Sequence, residues 1–503
     1  MKKRVAVIGA GPSGIAQLRA FAAAERSGAE VPDVVCFERQ ADWGGQWNYT
    51  WRAGTDEYGE PVHSSIYRHL WSNGPKERIE FADYSFDEHF GRPLSSFPPR
   101  EVLWDYINGR IERSGVRDKV RFSTAVRHVE YDRATETFTL EAENLLDRST
   151  TVEEFDEVVV ASGHYSVPHS PGFEGLETFP GLVQHAHDFR GAEHLVGKDL
   201  LVVGGSSSAE DIALQAYKMG TKSVTITYRS KEMGYAWPET VEERPLLTRM
   251  EGRTAYFADG TSKEFDAVVL CTGYIHSFPF MSHDIRLNTT GTLYVDHLYK
   301  GVTLAANPKV HYLGMQHQWF TFTMFDIQAW YVRDVVLGRV DLPDEATMRA
   351  DIAAWQDRRD AREVGKGDPV FQADMLKEIL AVTDYPDIDL DAVVNLFLAW
   401  KQSKKDEVTT YRDQVYRSIV TGTMSVPQRT AWLDMLDDTA AGYLADLTDP
   451  VEEMGPGAAL GVAAAAEAAG DAAVGAAAAG DAAVGAAAGA GAATRDDLAA
   501  AAG

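Results

Sequence analysis

Cysteine is almost missing from this chain: Cys36 and Cys271 are the only two in 503 residues. Two residues cannot build a disulfide framework or a cysteine-rich metal site, and with no CxxC pair the scarcity points to a reducing, cytoplasmic setting. Positive charge is also in short supply. The 48 Lys and Arg stand against 75 Asp and Glu, for a formal net charge of −27. A nucleic-acid surface needs clustered cations to displace counterions, so nucleic acid is not an expected partner. Long apolar runs are missing too; none approaches the roughly 18 residues that span a bilayer. Met1-Lys2-Lys3-Arg4 leads directly into the strand-like Val5-Ala6-Val7-Ile8, leaving no room for a signal segment. The expected setting therefore has neither membrane nor nucleic acid.

What is plentiful is core material. With 45% hydrophobic and 10% aromatic residues, the chain can bury large cores and divides into two or three units of ordinary domain size. One segment stands apart. From 455 to 503 the residues are almost wholly Ala and Gly, with GDAAVGAAA at 470–478 and again at 480–488. Such side chains bury too little to offset the entropy of ordering, so this tail is expected to be disordered or transiently helical.

The opening is the most legible stretch. Val5-Ala6-Val7-Ile8 is followed by Gly9-Ala10-Gly11-Pro12-Ser13-Gly14 and then by the helix-patterned Ile15 to Phe21. This is strand, G-x-G-x-x-G, helix. Gly9 permits the tight turn, Gly11 lets backbone approach a pyrophosphate, and Gly14 lets helix and strand pack closely, while the helix N-terminus supplies N–H groups to the anion. A second strand, Val34-Val35-Cys36-Phe37, ends in Glu38, an acid placed to bind the hydroxyls of an unphosphorylated ribose.

A second unit of the same kind begins at Lys198. The strand Leu200 to Val203 leads into Gly204-Gly205-Ser206-Ser207-Ser208-Ala209 and a helix to Met219. The strand after it, Ser223 to Tyr228, ends not in an acid but in Arg229, with Ser230 and Lys231 behind. A cation at that point favours a 2′-phosphate, hence NADPH. Phe155-Asp156-Glu157-Val158-Val159-Val160-Ala161-Ser162-Gly163 and Phe265-Asp266-Ala267-Val268-Val269-Leu270-Cys271-Thr272-Gly273 are near copies, as if each closed one Rossmann unit. The expected architecture is α/β: an FAD-binding domain from 1–168 and 281–450, with an NADPH-binding domain at 169–280 inserted into it.

These motifs, with WGGQWNY at 43–49, LWSNGPKE at 70–77, the F-x-G-x-x-x-H-x-x-x-F pattern of Phe179, Gly181, His185 and Phe189, and CTGY at 271–274, carry a family resemblance. The chain resembles class B flavoprotein monooxygenases, specifically flavin-containing monooxygenases of the bacterial trimethylamine monooxygenase type, from residue 5 to about 440. The resemblance implies that NADPH reduces FAD, that dioxygen adds to the reduced flavin at C4a, and that a soft nucleophile such as trimethylamine takes the distal oxygen of the hydroperoxide to become its N-oxide. The same hydroperoxyflavin can oxygenate sulfides or ketones, or release peroxide as a weakly coupled NADPH oxidase. In this family, Phe at the motif's last position points to N- or S-oxygenation rather than ketone oxidation. A homodimer is also implied. A disulfide-reductase type would need a cysteine pair beside the flavin, whereas Cys36 and Cys271 lie at strand ends of separate units.

Residue by residue, the resemblance places Asn73 as the amide donor at the flavin–oxygen centre. Gln40, Gly45, Gln46, Trp47, Leu70 and Val126 fall along the flavin, and Tyr67 borders NADP. His185 and its neighbours are implied to couple the interdomain linker to cofactor position rather than to perform acid–base chemistry. The second turn, Gly204, Ser206, Ser207 and Ser208, holds NADP with Arg229 and Ser230. In 316-QHQWFTFTMFD-326, Gln316 and Gln318 are cofactor-contact candidates. Trp319, Phe320 and Phe322 suit either a pocket for a methylated amine or an ordinary core. Relatives carry Tyr where this chain has Ser207, which implies a wider pocket and more wasteful peroxide release.

Overall fold

The computed structural model describes residues 2–449 apart from Thr292; the Ala/Gly segment expected to lack order lies outside the described residues. In chain order, β1 (Arg4–Ile8), β2 (Asp33–Phe37) and β3 (Val120–Arg121) are followed by an antiparallel meander of β4 (Thr124–Asp132), β5 (Thr137–Asn144) and β6 (Thr150–Phe155), and then by β7 (Glu157–Val160). Next come β8 (Leu182–His185), β9 (Asp199–Val203), β10 (Ser223–Thr227) and β11 (Val241–Arg244). A second meander, β12 (Leu247–Glu251), β13 (Thr254–Phe257) and β14 (Ser262–Glu264), leads to β15 (Ala267–Leu270). Last are β16 (Leu298–Tyr299), β17 (Thr303–Leu304) and β18 (Val310–Tyr312).

Two larger sheets organise these strands. One has the order β16-β17-β18-β7-β1-β2-β3 and the other β11-β10-β9-β15-β8. The chain from 182 to 270 thus builds a sheet of its own, while the segments before and after it share the first. In each, the strand that leads into the glycine turn lies parallel to both neighbours: Val5 pairs with Val34 and Glu157, and Leu200 with Val224 and Ala267. Strands buried on both faces read as unbroken apolar runs, and Val5 to Val7 and Leu200 to Val202 are fully buried.

The two near-copy segments do the same job twice. A Cβ on Gly9, at φ +102°, would sit 2.7 Å from the carbonyl oxygen of Ala161; one on Gly204, at φ +140°, would sit 2.2 Å from that of Cys271. Each glycine turn therefore crosses directly over the end of its own sheet's adjacent strand, an approach that only a residue without a side chain allows.

Helix Pro12–Arg26 follows the first turn with proline at its start, where no intrahelical N–H bond is lost. Helix Phe322–Val336 is buried over nearly its whole length and packs on it. Helix Leu390–Asp406 is capped by Asp389, whose carboxylate accepts from the Ala392 N–H. Its buried face runs through Val393, Phe397, Trp400 and Lys404, the i, i+4, i+7 spacing of a single stripe. Among the described residues no helix is long and apolar enough to cross a membrane, and no group of three or more His, Cys, Asp or Glu is placed to hold a metal ion. Cys36 and Cys271 are free and buried.

Candidate functional site

A cavity of about 1010 Å³ opens along the carboxyl ends of β1, β7, β9 and β15, where open α/β sheets bind their ligands. Its volume reaches the upper end of ordinary small-molecule pockets. Gly9, Gly11, Pro12 and Ser13 line it from the first turn, and Ser206, Ser207 and Ser208 from the second. Gly14 and Gly204 lie behind this wall; a Cβ on Gly14 would come within 1.8 Å of the Gly9 carbonyl oxygen.

Glu38 stands at the end of β2 with its carboxylate buried. Oε2 accepts from the Ala10 N–H at 2.6 Å and Oε1 from the Gln40 N–H at 2.8 Å. Burial raises its pKa, and the two backbone donors work against that rise. The carboxylate is thus fixed in place at the cavity wall. Gln40 and Gly45 lie beside it, the Gln40 amide donating to the Gly45 carbonyl at 3.3 Å. Gln46 is also on the wall, but its amide is spent on protein. Nε2 donates to the carbonyls of His63 and Tyr165, each at 3.0 Å, and Oε1 accepts from the Ser65 N–H at 2.8 Å. It stitches three wall segments together.

The 179–189 motif forms edge strand β8 and its continuation, paired with β15 from Leu182↔Ala267 to His185↔Leu270. Phe179 is buried in the core of the second sheet. A Cβ on Gly181 would lie 2.3 Å from the Asp266 carbonyl oxygen and 2.6 Å from the Phe179 ring, so this end of the motif is a packing device. At the other end, Nδ1 of His185 accepts from the His187 N–H at 3.0 Å, and burial lowers the His185 pKa. The Nδ1 lone pair is thereby engaged by backbone. Phe189 is fully buried and meets the Tyr67 ring edge-to-face at 5.1 Å; Tyr67 and Ala186 reach the wall.

Asn73 reaches the cavity from the loop after Trp71, half-buried between buried neighbours. Two cations from the C-terminal helical region hold this loop by its backbone. Lys404 donates to the Asn73 carbonyl at 3.3 Å and pairs with Glu210; Arg412 donates through Nε to the Ser72 carbonyl at 3.2 Å and pairs with Asp211. Glu210 and Asp211 belong to helix Ser207–Met219, which starts at the second turn. Trp319, Phe397 and Trp400 form an aromatic corner on the wall of the same cavity, with ring centroids 5.2 Å apart in each successive pair.

Leu70, Trp47, Val126 and Gln318 also line the cavity. Gln316, Phe320 and Phe322 are fully buried behind it. The Gln316 amide is committed to the Gly301 carbonyl and to Gln328. Phe322 stacks on Phe81 at 5.1 Å, so the choice left open between substrate pocket and core falls to the core for both phenylalanines. Thr321, the residue before helix Phe322–Val336, has a φ of +42° and turns the chain between Trp319 and Phe322. Arg229 and Ser230 are exposed beyond the end of β10 and are not part of the wall. Sequence reading missed His164, which is buried on the cavity wall. Its pKa is lowered to about 3, mainly by burial. It also missed Arg78, which lines the cavity beside the aromatic corner.

The residues present fit two dinucleotides. Two glycine turns face one cavity, a tethered acid stands at the first, exposed serines open a helix N-terminus at the second, and the buried His164 lines the same cavity. Comparison with known proteins agrees. The flavin-binding monooxygenase-like family model matches residues 2–244 and 238–402. The trimethylamine monooxygenase of Roseovarius nubinhibens is 55% identical over 88% of this chain and all of its own length, and that of Methylocella silvestris 56% over 87% and 97%. The crystal structure of Tmm from Pelagibacter sp. superposes with a TM-score of 0.85 at 45% identity, covering 88% of this chain and 100% of that one. The chain therefore belongs to the flavin-binding monooxygenase-like family and is an FAD- and NADPH-dependent monooxygenase.

Proposed function

We propose that this enzyme N-oxygenates small tertiary amines, converting trimethylamine to its N-oxide with NADPH and O₂. The observation that carries the reading is the likeness, above half the residues and across nearly the whole described chain, to trimethylamine monooxygenases from two bacteria. Bound FAD, reduced by NADPH, supplies the oxygen-activating chemistry. The chain's own residues then have four tasks. Gly9, Gly11 and the N-terminus of helix Pro12–Arg26 receive the FAD pyrophosphate, and Glu38 accepts from its ribose hydroxyls. Ser206 to Ser208 bind the phosphates of NADPH, with Arg229 and Ser230 serving its 2′-phosphate.

Asn73 presents an amide N–H to the oxygen that the amine attacks, a fixed donor of the kind that is most effective where water is excluded. Lys404 and Arg412 keep its loop in register with the NADPH-binding helix. His185 and Phe189 set the linker course through Tyr67. Trp319, Trp400 and Phe397 close the remaining side and keep water from the reacting atoms. The amine enters as its free base, because only the unprotonated lone pair can accept oxygen. The assembly expected is a homodimer in the cytoplasm.

NADPH and oxygen consumption by FAD-loaded enzyme, with and without trimethylamine, tests the reading when N-oxide and hydrogen peroxide are assayed in the same samples. One N-oxide per NADPH is the expected result. Peroxide with no N-oxide would reject the amine assignment.

A further inference from the structure

Arg78 is a buried cation with no counter-ion among the described residues. Its side chain stands on the cavity wall beside the Trp319, Phe397 and Trp400 corner and is only 8% exposed. Nη1 donates to the Trp319 carbonyl at 2.6 Å, and Nε has no partner among the described residues. The guanidinium carbon lies 5.4 Å from the Trp400 ring centroid and 5.7 Å from that of Phe397. Gly74 hugs its other side: a Cβ there would be 3.0 Å from Nη2. Burial lowers its pKa to about 10, and no carboxylate offsets the shift.

The acids that line the same cavity are all engaged elsewhere. Glu38 takes the Ala10 and Gln40 N–H groups, Glu60 binds Arg127, and Asp211 binds Arg412. An unpaired buried guanidinium is costly to keep, and its planar fork matches a carboxylate in two parallel bonds. The aromatic faces that would otherwise attract an ammonium are already in contact with this resident cation.

We propose that Arg78 is a specificity-determining residue that gives the oxygenation pocket an anion subsite, so that it takes thioethers and tertiary amines carrying a carboxylate a few bonds from the soft atom. The inference rests on reading this cavity as the oxygenation pocket. For a thioether acid, one atom of O₂ goes to sulfur and the other leaves as water. NADPH supplies two electrons, so that NADPH, H⁺, O₂ and the thioether give NADP⁺, water and the sulfoxide. The fixed charge also disfavours an ammonium, which selects an amine in the free-base form that oxygen transfer requires.

The test uses FAD-loaded enzyme and methoxyacetate, an acid whose ether oxygen is not oxygenated, against uncharged dimethoxymethane of similar size. Binding is followed by tryptophan fluorescence and by competition with (methylthio)acetate turnover. Wild type is expected to bind methoxyacetate the tighter of the two. Arg78→Met should weaken methoxyacetate roughly tenfold or more and leave dimethoxymethane unchanged, with Arg78→Lys between. The kcat/KM for (methylthio)acetate should fall in step.

Equal binding of the two probes by wild type, or undiminished methoxyacetate binding in Arg78→Met, overturns the proposal. So does a loss confined to NADP⁺ affinity, which would assign the anion subsite to cofactor phosphate. FAD content and Tm check folding, and Arg78→Lys against Arg78→Gln decides the matter if the methionine variant does not fold. If trimethylamine is not oxygenated, the amine reading fails while the methoxyacetate titration still decides Arg78.

Discussion

Lys404 Nζ lies 3.3 Å from the carbonyl oxygen of Asn73 and is paired with Glu210 in helix Ser207–Met219. One buried ammonium thus joins the loop that carries the proposed catalytic amide to the helix that begins at the second glycine turn. Arg412 repeats the connection one residue along on both sides, through Ser72 and Asp211. The position of Asn73 is therefore coupled to the nucleotide-binding helix through charge and not only through packing.

Lys404→Met should expose that coupling. Removing one member of a buried pair leaves Glu210 as an uncompensated charge, at a cost of about 3–5 kcal/mol, so a clear fall in Tm is expected. The functional signature is a larger share of NADPH ending as hydrogen peroxide at unchanged FAD content. Adding Glu210→Gln should recover part of the stability but not the coupling, because the bond to the Asn73 carbonyl remains absent. A double variant that restores both would show that Lys404 acts only through Glu210.

A pH dependence follows from His69. Its Nδ1 lies 2.7 Å from Asp438 and its Nε2 2.9 Å from Glu193, joining the segment that carries Tyr67 to the linker after the motif and to the C-terminal region. The bond to Asp438, more than any other influence, raises its pKa above the ordinary 6.5. A raised folded-state pKa means the folded protein holds the proton more tightly than the unfolded chain. The stabilisation is therefore complete below about pH 6.5 and fades as pH climbs through the raised value. Urea unfolding should show a loss of at most about 1 kcal/mol across that window, and His69→Asn should flatten it.

The parts legible in the sequence were those where burial constrains every position. Val5 to Ile8 and Leu200 to Val203 lie in interior parallel strands, so they read as plain apolar runs, and the glycines after them mark turns that no side chain can enter. The meanders β4–β6 and β12–β14 went unread because they are half-exposed, and residues such as Glu130, Arg249 and Glu251 broke the apolar signal. Arg78 and Lys404 were missed because a lone cation ordinarily marks a solvated surface. For Lys404 a clue existed: it falls four residues after Trp400 and seven after Phe397, on the apolar stripe. Nothing comparable singled out Arg78, whose burial depends on Trp319 and Phe397, hundreds of residues away. Phe322 could not be told from Trp319 by spacing, since the turn at Thr321 lies between them, and no spacing marked Phe320 as core.

Ser207 is exposed to the cavity at the first position of its helix. Ser207→Tyr should fill that space without disturbing the helix, whose start is set by the backbone of Ser206. The expected outcome is a lower peroxide-to-N-oxide ratio with trimethylamine, together with a steeper loss of activity as the amine substituents lengthen. An unchanged ratio and an unchanged substrate profile would remove position 207 from the account of coupling.

Glu38 offers the most direct check on the first nucleotide site. Both of its oxygens are held by backbone donors, from Ala10 at 2.6 Å and Gln40 at 2.8 Å. Glu38→Gln keeps the shape but forces an NH₂ group against one of those N–H donors and replaces a charged acceptor by a neutral one. Charge-assisted bonds contribute about 1.5–3 kcal/mol, which corresponds to an FAD affinity weaker by roughly ten- to a hundredfold. Equilibrium dialysis of the variant against FAD would measure this directly, and NADP⁺ binding to the separate second turn should be unaffected. Equal loss of both nucleotides would instead mean that Glu38 supports the cavity as a whole, since its buried carboxylate also ties β2 to the turn after β1.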